Sequence, residues 1–276
     1  MKIRHRFAFM SSQHQDVFVT IPSLTNKHKL DINKTFNEII VYESDPNASE
    51  IIAIMQVSNI HSMPSVVFSA SELQKAQWLE IFTLWSQYEI QPSRTFPQNT
   101  FKTLSCEKCY YECEQIDDFA LGTRPNKWKK KFLNVHIPDE MLVPDEVAEI
   151  LSNSELKGFH FRQVIDYKTR DKIPNINQLV VERTLEKGRV YYPGEIREMD
   201  HCPVCGFETV VPQTPEWNHY KTEIFDGVEE DIVKTGEKHR GGRIYRSRLI
   251  ISHKFCDVLK KNRLDKVLMH SVVDLV

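Results

Sequence analysis

The sequence has few glycines and no long apolar run. Nine glycines among 276 residues and the absence of any low-complexity tract mean that no flexible linker marks a domain boundary. No stretch approaches the roughly 20 consecutive apolar residues of a membrane helix. The apolar run Phe7–Met10 is shorter than that of a secretory signal. We therefore expect a cytoplasmic protein that does not enter a membrane, whose thiols stay reduced.

The sequence also lacks a large excess of positive or negative charge. Lys and Arg number 36 against 38 Asp and Glu, which gives a formal net charge of -2. The molecule as a whole therefore has no positive field that would attract nucleic acid or an anionic membrane. Hydrophobic residues make up 41% of the chain, aromatic residues 10% and charged residues 27%, which excludes collagen, coiled coil and wholesale disorder.

The familiar catalytic signatures do not occur. The chain has no Gly-rich phosphate loop, no GxSxG elbow and no HExxH pair, and these motifs would otherwise indicate phosphoryl, acyl or metalloprotease chemistry. Its eleven histidines are scattered. A pairing of Cys113 with one of them as nucleophile and base is the remaining enzymatic alternative. We expect a protein that is not an enzyme.

Residues 1–100 predict a strand-rich α+β region. Four short segments are strand-like in their β-branched and aromatic content, namely Arg6–Phe9, Asp16–Ile21, Glu38–Tyr42 and Ile51–Met55.

One amphipathic helix is predicted to close this region. Ser69 and Glu72 have the spacing of a capping box. The following large residues recur at helical spacing on one face, and these are Trp78, Ile81, Phe82, Trp85 and Tyr88. This stripe predicts a helix over residues 78–88 that packs on a sheet, or alternatively an exposed stripe that binds a partner. Prolines at positions 92 and 97 then indicate a boundary near residue 100.

An internal repeat at an offset of 108 residues occupies the rest of the chain. Residues 142–166 align without a gap on residues 250–274, so that Leu151 matches Leu259 and Asp166 matches Asp274. Each copy predicts a strand, a short helix that begins after Pro144 or Ser252, and a second strand. Any two helix–strand units could look this similar, but the length of the match favours duplication. We expect 101–276 to form a duplicated α+β domain, with copies at about 104–166 and 200–274.

A CxxC pair precedes each copy. The pairs are Cys106 with Cys109 and Cys202 with Cys205, and Gly206 follows the second pair. Two-residue spacing lets one turn direct two sulfur atoms at the same ion, and two such turns complete a four-thiolate zinc site. The 92 residues between Cys109 and Cys202 require the site to form by tertiary contact. We therefore predict one structural Zn²⁺ that links the copies.

Other roles for the cysteines remain open at this point. The pairs could form a reduced thiol cluster without metal, or a thioredoxin-like redox pair. Cys113 and His201 are close enough in sequence to replace a ligand. Cys256 aligns with Ala148 on the second predicted helix, which is typical of a small buried apolar residue.

At these residues the chain resembles the bacterial double-CxxCG proteins, which are grouped with the immunity proteins of polymorphic and contact-dependent toxin systems. The resemblance covers about residues 104–276. It rests on the motif Cys202–Gly206, on the Cys106/Cys109 pair, on Leu142–Val164 and on the segment Asp226–Val272. Tyr110 stands where the family has its first glycine, and residues 1–100 match nothing in the family. The resemblance implies a protein that binds and silences a cognate toxin, with zinc in a purely structural role.

Two charged clusters bear on possible partners. Five acids lie within nine residues and could face the basic groove of a nuclease toxin, or else form a solvated loop. They are Glu223, Asp226, Glu229, Glu230 and Asp231. Basic residues concentrate at 124–131 and 238–248, and zinc-ribbon proteins often bind nucleic acid through such features. The alternative function is therefore that of a zinc-ribbon nucleic-acid-binding or regulatory protein, although the net charge disfavours it.

Overall fold

The structure of the chain is a computed structural model. It describes residues 2–14, 17, 34–83, 99–122, 132–134, 141–191, 196–212, 218–241, 244–265 and 268–276. The fold is α+β with a strand-rich N-terminal region, as the sequence predicts. Two compact units are present, one comprising Met1–Glu72 and Pro212–Trp217, the other Leu73–Val211 and Asn218–Val276. The chain therefore divides near residue 72, whereas the sequence predicts a boundary near residue 100.

Among the described residues, the first unit contains a three-stranded antiparallel sheet and a helix of ten residues. Its strands are β1 (Lys2–Met10), β2 (Phe36–Tyr42) and β3 (Ser62–Val67), its helix is α1 (Ala48–Val57), and a 3₁₀ turn spans Ser11–Gln13. The strand order is β2-β1-β3. Alternate residues of β1 and β2 and one face of α1 form the core, which includes Phe7, Ile39, Ile51 and Met55.

Two of the predicted N-terminal strands are confirmed and one is wrong. Arg6–Phe9 lies in β1 and Glu38–Tyr42 in β2, but Ile51–Met55 lies in α1. This helix buries Ala48, Ile51 and Met55, a helical spacing that the short apolar run conceals, because such a run fits a strand or a buried helix equally well. Of the predicted strand Asp16–Ile21, only residue 17 belongs to the described part of the chain.

The predicted capping box is confirmed, but the helix it begins is short. The backbone N–H of Ser69 donates to Oε2 of Glu72 at 2.7 Å, and the N–H of Glu72 donates to Oγ of Ser69 at 3.3 Å. These two bonds satisfy donors at the start of a helix. The helix that follows, α2 (Ala70–Lys75), has six residues.

The predicted helix over residues 78–88 is wrong, because Trp78–Thr83 forms strand β4. The strand lies in the interior of a six-stranded sheet, and Trp78, Leu79, Glu80 and Ile81 are all buried. A strand covered on both faces buries consecutive residues, so its large side chains also match a helical stripe by chance. Residues 84–88 lie outside the described residues.

The remaining elements belong to the second unit. Its further strands are β5 (Phe101–Thr103), β6 (Cys113–Gln115), β7 (Phe119–Leu121), β8 (Leu133–Asn134), β9 (Met141–Val143), β10 (Phe159–Asp166), β11 (Lys172–Val181), β12 (Arg189–Val190), β13 (Ile196–His201), β14 (Glu208–Pro212), β15 (Asn218–Tyr220), β16 (Ile232–Lys234), β17 (His239–Gly241), β18 (Ile244–Arg246), β19 (Leu249–Ser252) and β20 (Leu268–Leu275). Its helices are α3 (Asp145–Ser152) and α4 (His253–Lys261), and a 3₁₀ turn spans Thr222–Phe225.

Both predicted repeat segments contain the expected strand, helix and strand. They are β9-α3-β10 and β19-α4-β20. Pro144 immediately precedes α3, and Oγ of Ser252 accepts from the N–H of Phe255 at 3.1 Å at the start of α4. Each helix buries one apolar face, with Val147, Ala148 and Leu151 in α3 and Phe255, Cys256 and Leu259 in α4.

The two larger sheets of this unit share one arrangement of five strands. Their orders are β7-β10-β11-β9-β8 and β12-β15-β20-β4-β19-β16. In each, the two strands of the repeat segment flank a central antiparallel strand, β11 or β4. The outer neighbours also correspond, since β7 and β15 run parallel to β10 and β20, while β8 and β16 run antiparallel to β9 and β19. Strand β11 follows its repeat segment in the chain, whereas β4 precedes both segments.

Among the described residues, three two-stranded hairpins also belong to this unit, and two of them carry the CxxC pairs. They are β5-β6, β13-β14 and β17-β18. The first CxxC pair lies between β5 and β6, and the second lies between β13 and β14. In the part of the chain that the structure describes, no helix combines the length and apolar character needed to cross a bilayer.

Candidate metal centre

The first CxxC pair lies in a tight turn between β5 and β6. The N–H of Tyr110 donates to the carbonyl oxygen of Cys106 at 2.8 Å and closes the turn. Tyr110 has a φ of 51°, which is the left-handed region that a residue other than glycine rarely adopts. The first pair therefore makes a knuckle turn even though tyrosine stands where the double-CxxCG proteins have glycine.

The second pair adopts the same turn between β13 and β14. The N–H of Gly206 donates to the carbonyl oxygen of Cys202 at 2.9 Å, and Gly206 has a φ of 71°. A second bond, from the N–H of Cys202 to the carbonyl oxygen of Phe207 at 2.9 Å, ties the turn together. A Cβ on Gly206 would meet no atom within 4 Å, so glycine is favoured here by its backbone conformation alone.

The two turns bring four sulfur atoms into one cluster. Those of Cys106, Cys109, Cys202 and Cys205 all lie within 4.8 Å of one another. Sγ of Cys106 is 3.9 Å from Sγ of Cys202, and Sγ of Cys109 is 3.7 Å from Sγ of Cys205. All four are free cysteines. The predicted tertiary convergence of the pairs is therefore present, and the cluster can hold a metal ion.

The spacing of the sulfur atoms fits a four-thiolate zinc site. A tetrahedral ion with Zn–S bonds of about 2.3 Å places its sulfur ligands about 3.8 Å apart, close to the two distances above. Cys106, Cys109 and Cys202 are buried, and Cys205 is exposed. Four thiolates close the coordination shell of such an ion, leaving no position for water or substrate.

Three aromatic rings pack against the cluster. Tyr111 and Phe207 stack with their centroids 4.2 Å apart and their planes at 12°, and Tyr245 meets Phe207 edge-on at 5.0 Å. The hydroxyl of Tyr245 donates to Oδ2 of Asp200 at 3.4 Å. Because these rings exclude water from the buried side of the cluster, they favour metal–thiolate bonds over hydrated thiols.

The cysteine motifs alone do not predict these rings, although the sequence contains a signal for two of them. Tyr111 and Phe207 each stand two positions after the second cysteine of a pair. Equal offsets in two turns that face each other place the rings in mutual contact. Tyr245 comes from β18 and has no such signal.

The protein environment shifts the pKa values of two of the thiols in opposite directions. Burial raises the pKa of the Cys109 thiol. The N–H groups of Cys205 and Val204 point at Sγ of Cys202 and lower its pKa to about 6. Donors of this kind stabilise the thiolate of Cys202 relative to its thiol.

The other candidate ligands do not join the cluster. Among the described residues, the four-cysteine group does not include Cys113 or His201. Cys113 begins β6 and packs against a core cluster that contains Phe119 and Leu142. Cys256 is 1% exposed in α4, in agreement with its expected role as a small core residue.

The five acids of the predicted partner surface differ in burial. Glu223 and Glu229 are exposed and form exposed ion pairs with Lys221 and Lys157, respectively. Asp226 is also exposed.

The other two acids make structural contacts. Glu230 accepts from Arg183 at 2.9 Å. Asp231 is 8% exposed; its carboxylate accepts from the N–H of Lys157 at 3.0 Å and from Oγ of Ser252 at 2.7 Å. These bonds hold Asp231 inside the fold, so the outward-facing part of the acidic surface is Glu223, Asp226 and Glu229.

One basic residue of the surface predicted for the nucleic-acid alternative makes a structural contact. Arg248, at the end of the second basic cluster, donates to Oε1 of buried Glu80 at 2.7 Å, so its charge is engaged within the fold. The first basic cluster, residues 124–131, lies outside the part of the chain that the structure describes.

No family model, curated protein or solved structure matches this chain.

Proposed function

We propose that this protein is a non-catalytic binding protein that neutralises a cognate bacterial toxin, with one structural zinc ion bound by Cys106, Cys109, Cys202 and Cys205. The observation that carries the metal-binding part of the proposal is the convergence of the four sulfur atoms within 4.8 Å; the toxin-binding part is supported by the motif resemblance and by the exposed acids described below. An ion bound by four thiolates is saturated and serves to hold two chain segments together. The zinc would fix the β5-β6 and β13-β14 hairpins, which are far apart in sequence.

The ligand set favours zinc or iron over calcium and magnesium, and the motif resemblance favours zinc. Thiolate ligands in a tetrahedral array select zinc or iron, while calcium and magnesium require oxygen ligands. The double-CxxCG resemblance also implies zinc in a structural role. Because the four thiols are brought together only in the folded chain, the binding free energy of the ion would contribute directly to the stability of the fold.

The exposed acids support a protein partner with a basic surface. Glu223, Asp226 and Glu229 project from one loop region between β15 and β16. A toxin that cleaves nucleic acid carries a basic groove, and acids opposite such a groove accelerate association and favour the correct partner. We propose that these three side chains form part of the surface that contacts the toxin in the cytoplasm of the producing cell.

A neutralisation experiment tests this function. The chain is purified from its native cell and its stoichiometric partners are identified by mass spectrometry. Each partner is then expressed alone and together with this chain. We expect one partner to kill cells when alone and to be harmless when this chain is present. The function is refuted if no partner is toxic, or if the toxic partner remains toxic on co-expression.

Two triple variants test the acidic surface. Glu223→Gln, Asp226→Asn and Glu229→Gln together remove three exposed charges from the proposed surface. Glu149→Gln, Glu155→Gln and Glu186→Gln remove three exposed charges elsewhere and serve as the matched control. We expect only the first variant to slow association with the toxin, because charges at an interface mainly control the on-rate. Equal association rates for the two variants would show that these three acids do not belong to the interface.

The nucleic-acid alternative is tested by the dependence of binding on salt. A protein that neutralises phosphates loses affinity steeply as salt rises. Absence of binding to DNA and RNA at low salt would refute this alternative, whereas a steep salt dependence in the absence of any toxic partner would favour it over toxin neutralisation.

A further inference from the structure

One cysteine of the metal centre faces the solvent. Cys106, Cys109 and Cys202 are 5%, 4% and 3% exposed, and they belong to one apolar cluster with Tyr245. Cys205 is exposed and lies outside this apolar cluster. A reagent dissolved in water therefore reaches the metal centre first at Cys205.

The neighbours of Cys205 leave room for such a reagent. Val204, the preceding residue, is 69% exposed. Gly206, the following residue, is exposed, and a Cβ built there would meet no atom within 4 Å. Of the remaining cysteines, Cys113 is half-buried and Cys256 is buried. All six cysteines of the chain are described, and Cys205 is the most accessible of them.

The first knuckle turn gives less access to its second cysteine. Tyr110 follows Cys109 at the position where Gly206 follows Cys205. Tyr110 is half-buried and packs against the core cluster that contains Phe119. The two turns therefore share a backbone conformation but differ in chemical access, and the difference coincides with tyrosine in place of glycine.

Two close approaches between sulfur atoms join the turns. Sγ of Cys109 is 3.7 Å from Sγ of Cys205, and Sγ of Cys106 is 3.9 Å from Sγ of Cys202. Each approach joins equivalent positions of the two CxxC pairs, 96 residues apart. Because a disulfide bond is about 2.05 Å long, a relative movement of about 1.7 Å would bring Cys109 and Cys205 to bonding distance.

From these observations we propose that Cys205 is a site of oxidation by hydroperoxides and that Cys109 is its resolving thiol. Oxidation then replaces the metal link between the β5-β6 and β13-β14 hairpins with a disulfide bond between Cys109 and Cys205. Exposed thiolates that lie next to a second thiol are the usual targets of such oxidation. The inference rests on the four-thiolate metal centre proposed above and is independent of toxin binding.

The reaction takes place in two steps. Cys205, a thiolate while it binds the metal, attacks one oxygen of the peroxide. The O–O bond breaks, the sulfur becomes a sulfenic acid, and the other oxygen takes up a proton and leaves as water or an alcohol. The thiolate of Cys109 then attacks this sulfur, and the hydroxyl group takes up a proton and leaves as water. The peroxide gains two electrons, one from each sulfur atom.

The disulfide would change the link between the hairpins without removing it. Cys106 and Cys202 alone supply only half of a tetrahedral shell, so the chain would release its zinc. The new bond joins residues 96 positions apart, and a cross-link over so long a loop stabilises a fold by restricting the unfolded chain. We therefore expect the oxidised chain to be more stable than the reduced chain without metal.

Oxidation of the zinc-loaded full chain with one equivalent of hydrogen peroxide tests this site. Free thiols are alkylated, the disulfide is mapped by peptide mass spectrometry, and released zinc is measured with a chromophoric chelator. We expect the Cys109–Cys205 disulfide, with zinc released in proportion. A disulfide between Cys202 and Cys205, within one CxxC pair, would overturn the proposal, as would the absence of oxidation at millimolar peroxide. The zinc content before peroxide is added tests the metal centre separately.

Two variants locate the oxidation. Cys109→Ser keeps the exposed thiol and removes the resolving thiol, so we expect a sulfenic acid to accumulate at Cys205 and to be trapped by dimedone. Cys113→Ser, outside the cluster, should form the same disulfide as the wild type. Dimedone on another cysteine of Cys109→Ser, or loss of the disulfide in Cys113→Ser, would overturn the assignment.

Thermal unfolding of the wild-type chain tests the cross-link without any substitution. The oxidised chain and the reduced chain are compared after zinc has been removed from both by a chelator. We expect a higher midpoint for the oxidised chain, and reduction with dithiothreitol should abolish the difference. Equal midpoints would overturn the proposal that the disulfide replaces the metal link.

Discussion

Arg248 donates to the carboxylate of Glu80 at 2.7 Å, although the two residues are 168 positions apart in the sequence. The Glu80 side chain is 5% exposed and that of Arg248 is 19% exposed. Glu80 lies in β4, and Arg248 immediately precedes β19, its neighbour in the sheet. This ion pair helps to place the upstream strand β4 between the two strands of the second repeat segment.

Breaking this ion pair is expected to destabilise the fold asymmetrically. Arg248→Met leaves a buried carboxylate without its cation, and we expect a loss of about 3 kcal/mol in the free energy of unfolding. Glu80→Gln keeps the shape of the side chain and leaves a cation that water can reach, so we expect a smaller loss. Chemical denaturation of both variants measures the difference. Equal, small losses would show that the pair is not important for stability.

The acidic segment supplies a second prediction. Asp231→Ala removes the acceptor for the N–H of Lys157 and for the hydroxyl of Ser252. A buried donor that loses its acceptor costs about 1–3 kcal/mol. Both of these bonds are partly buried, so we expect destabilisation near the lower end of this range for each. Asp226→Ala, at an exposed position of the same segment, should leave stability unchanged. Thermal unfolding of the two variants tests this prediction, which fails if they unfold at the same temperature.

Gly206 and Gly227 provide a matched pair for the second knuckle. Both have a φ near 70°, and a Cβ on either would meet no atom within 4 Å. Substitution by alanine should therefore cost each about 1 kcal/mol through backbone strain alone. Only Gly206→Ala should also weaken zinc binding, because Gly206 closes the turn that holds Cys202. Competition with a chromophoric chelator measures the affinity. Equal zinc affinities in the two variants would show that the conformation of Gly206 does not contribute to zinc binding.

The pH dependence of zinc binding follows from the thiols. The pKa of Cys202 is lowered to about 6 and that of Cys109 is raised by burial. Near neutral pH, zinc must displace a proton from Cys109 but not from Cys202. As the pH falls through about 6, Cys202 also becomes protonated, and the affinity should decrease more steeply. Calorimetry in buffers of different ionisation enthalpy counts the released protons. An affinity independent of pH would contradict the thiolate site.

Local sequence signals predicted the local parts of this structure. Two-residue cysteine spacing predicted two knuckle turns, and Ser69 with Glu72 predicted a helix start. The motif spacing also predicted that the pairs converge, because each pair alone supplies only half of a tetrahedral shell. The closing turn of the first knuckle was not predictable, since Tyr110 adopts a positive φ that its residue type disfavours.

Long-range pairing accounts for what the sequence did not reveal. The residue pattern of Trp78–Thr83 indicates a helix. The strands that pair with this segment, β19 and β20, lie 168 to 195 positions later in the chain and leave no local signal. The central strands also bury equivalent polar residues: Gln178 pairs with Leu142, and Glu80 pairs with Ile250. Leu142 and Ile250 are themselves equivalent in the repeat. Duplication remains a prediction. It requires that equivalent residues of the two copies pair with equivalent positions of the central strands, as these two pairs do.

The metal content of the purified chain tests the central claim most directly. We expect about one zinc ion per chain by elemental analysis. Cys202→Ser should lose this zinc and destabilise the fold, whereas Cys113→Ser, outside the cluster, should retain it. A wild-type chain without zinc, or equal zinc content in the two variants, would contradict the four-thiolate site.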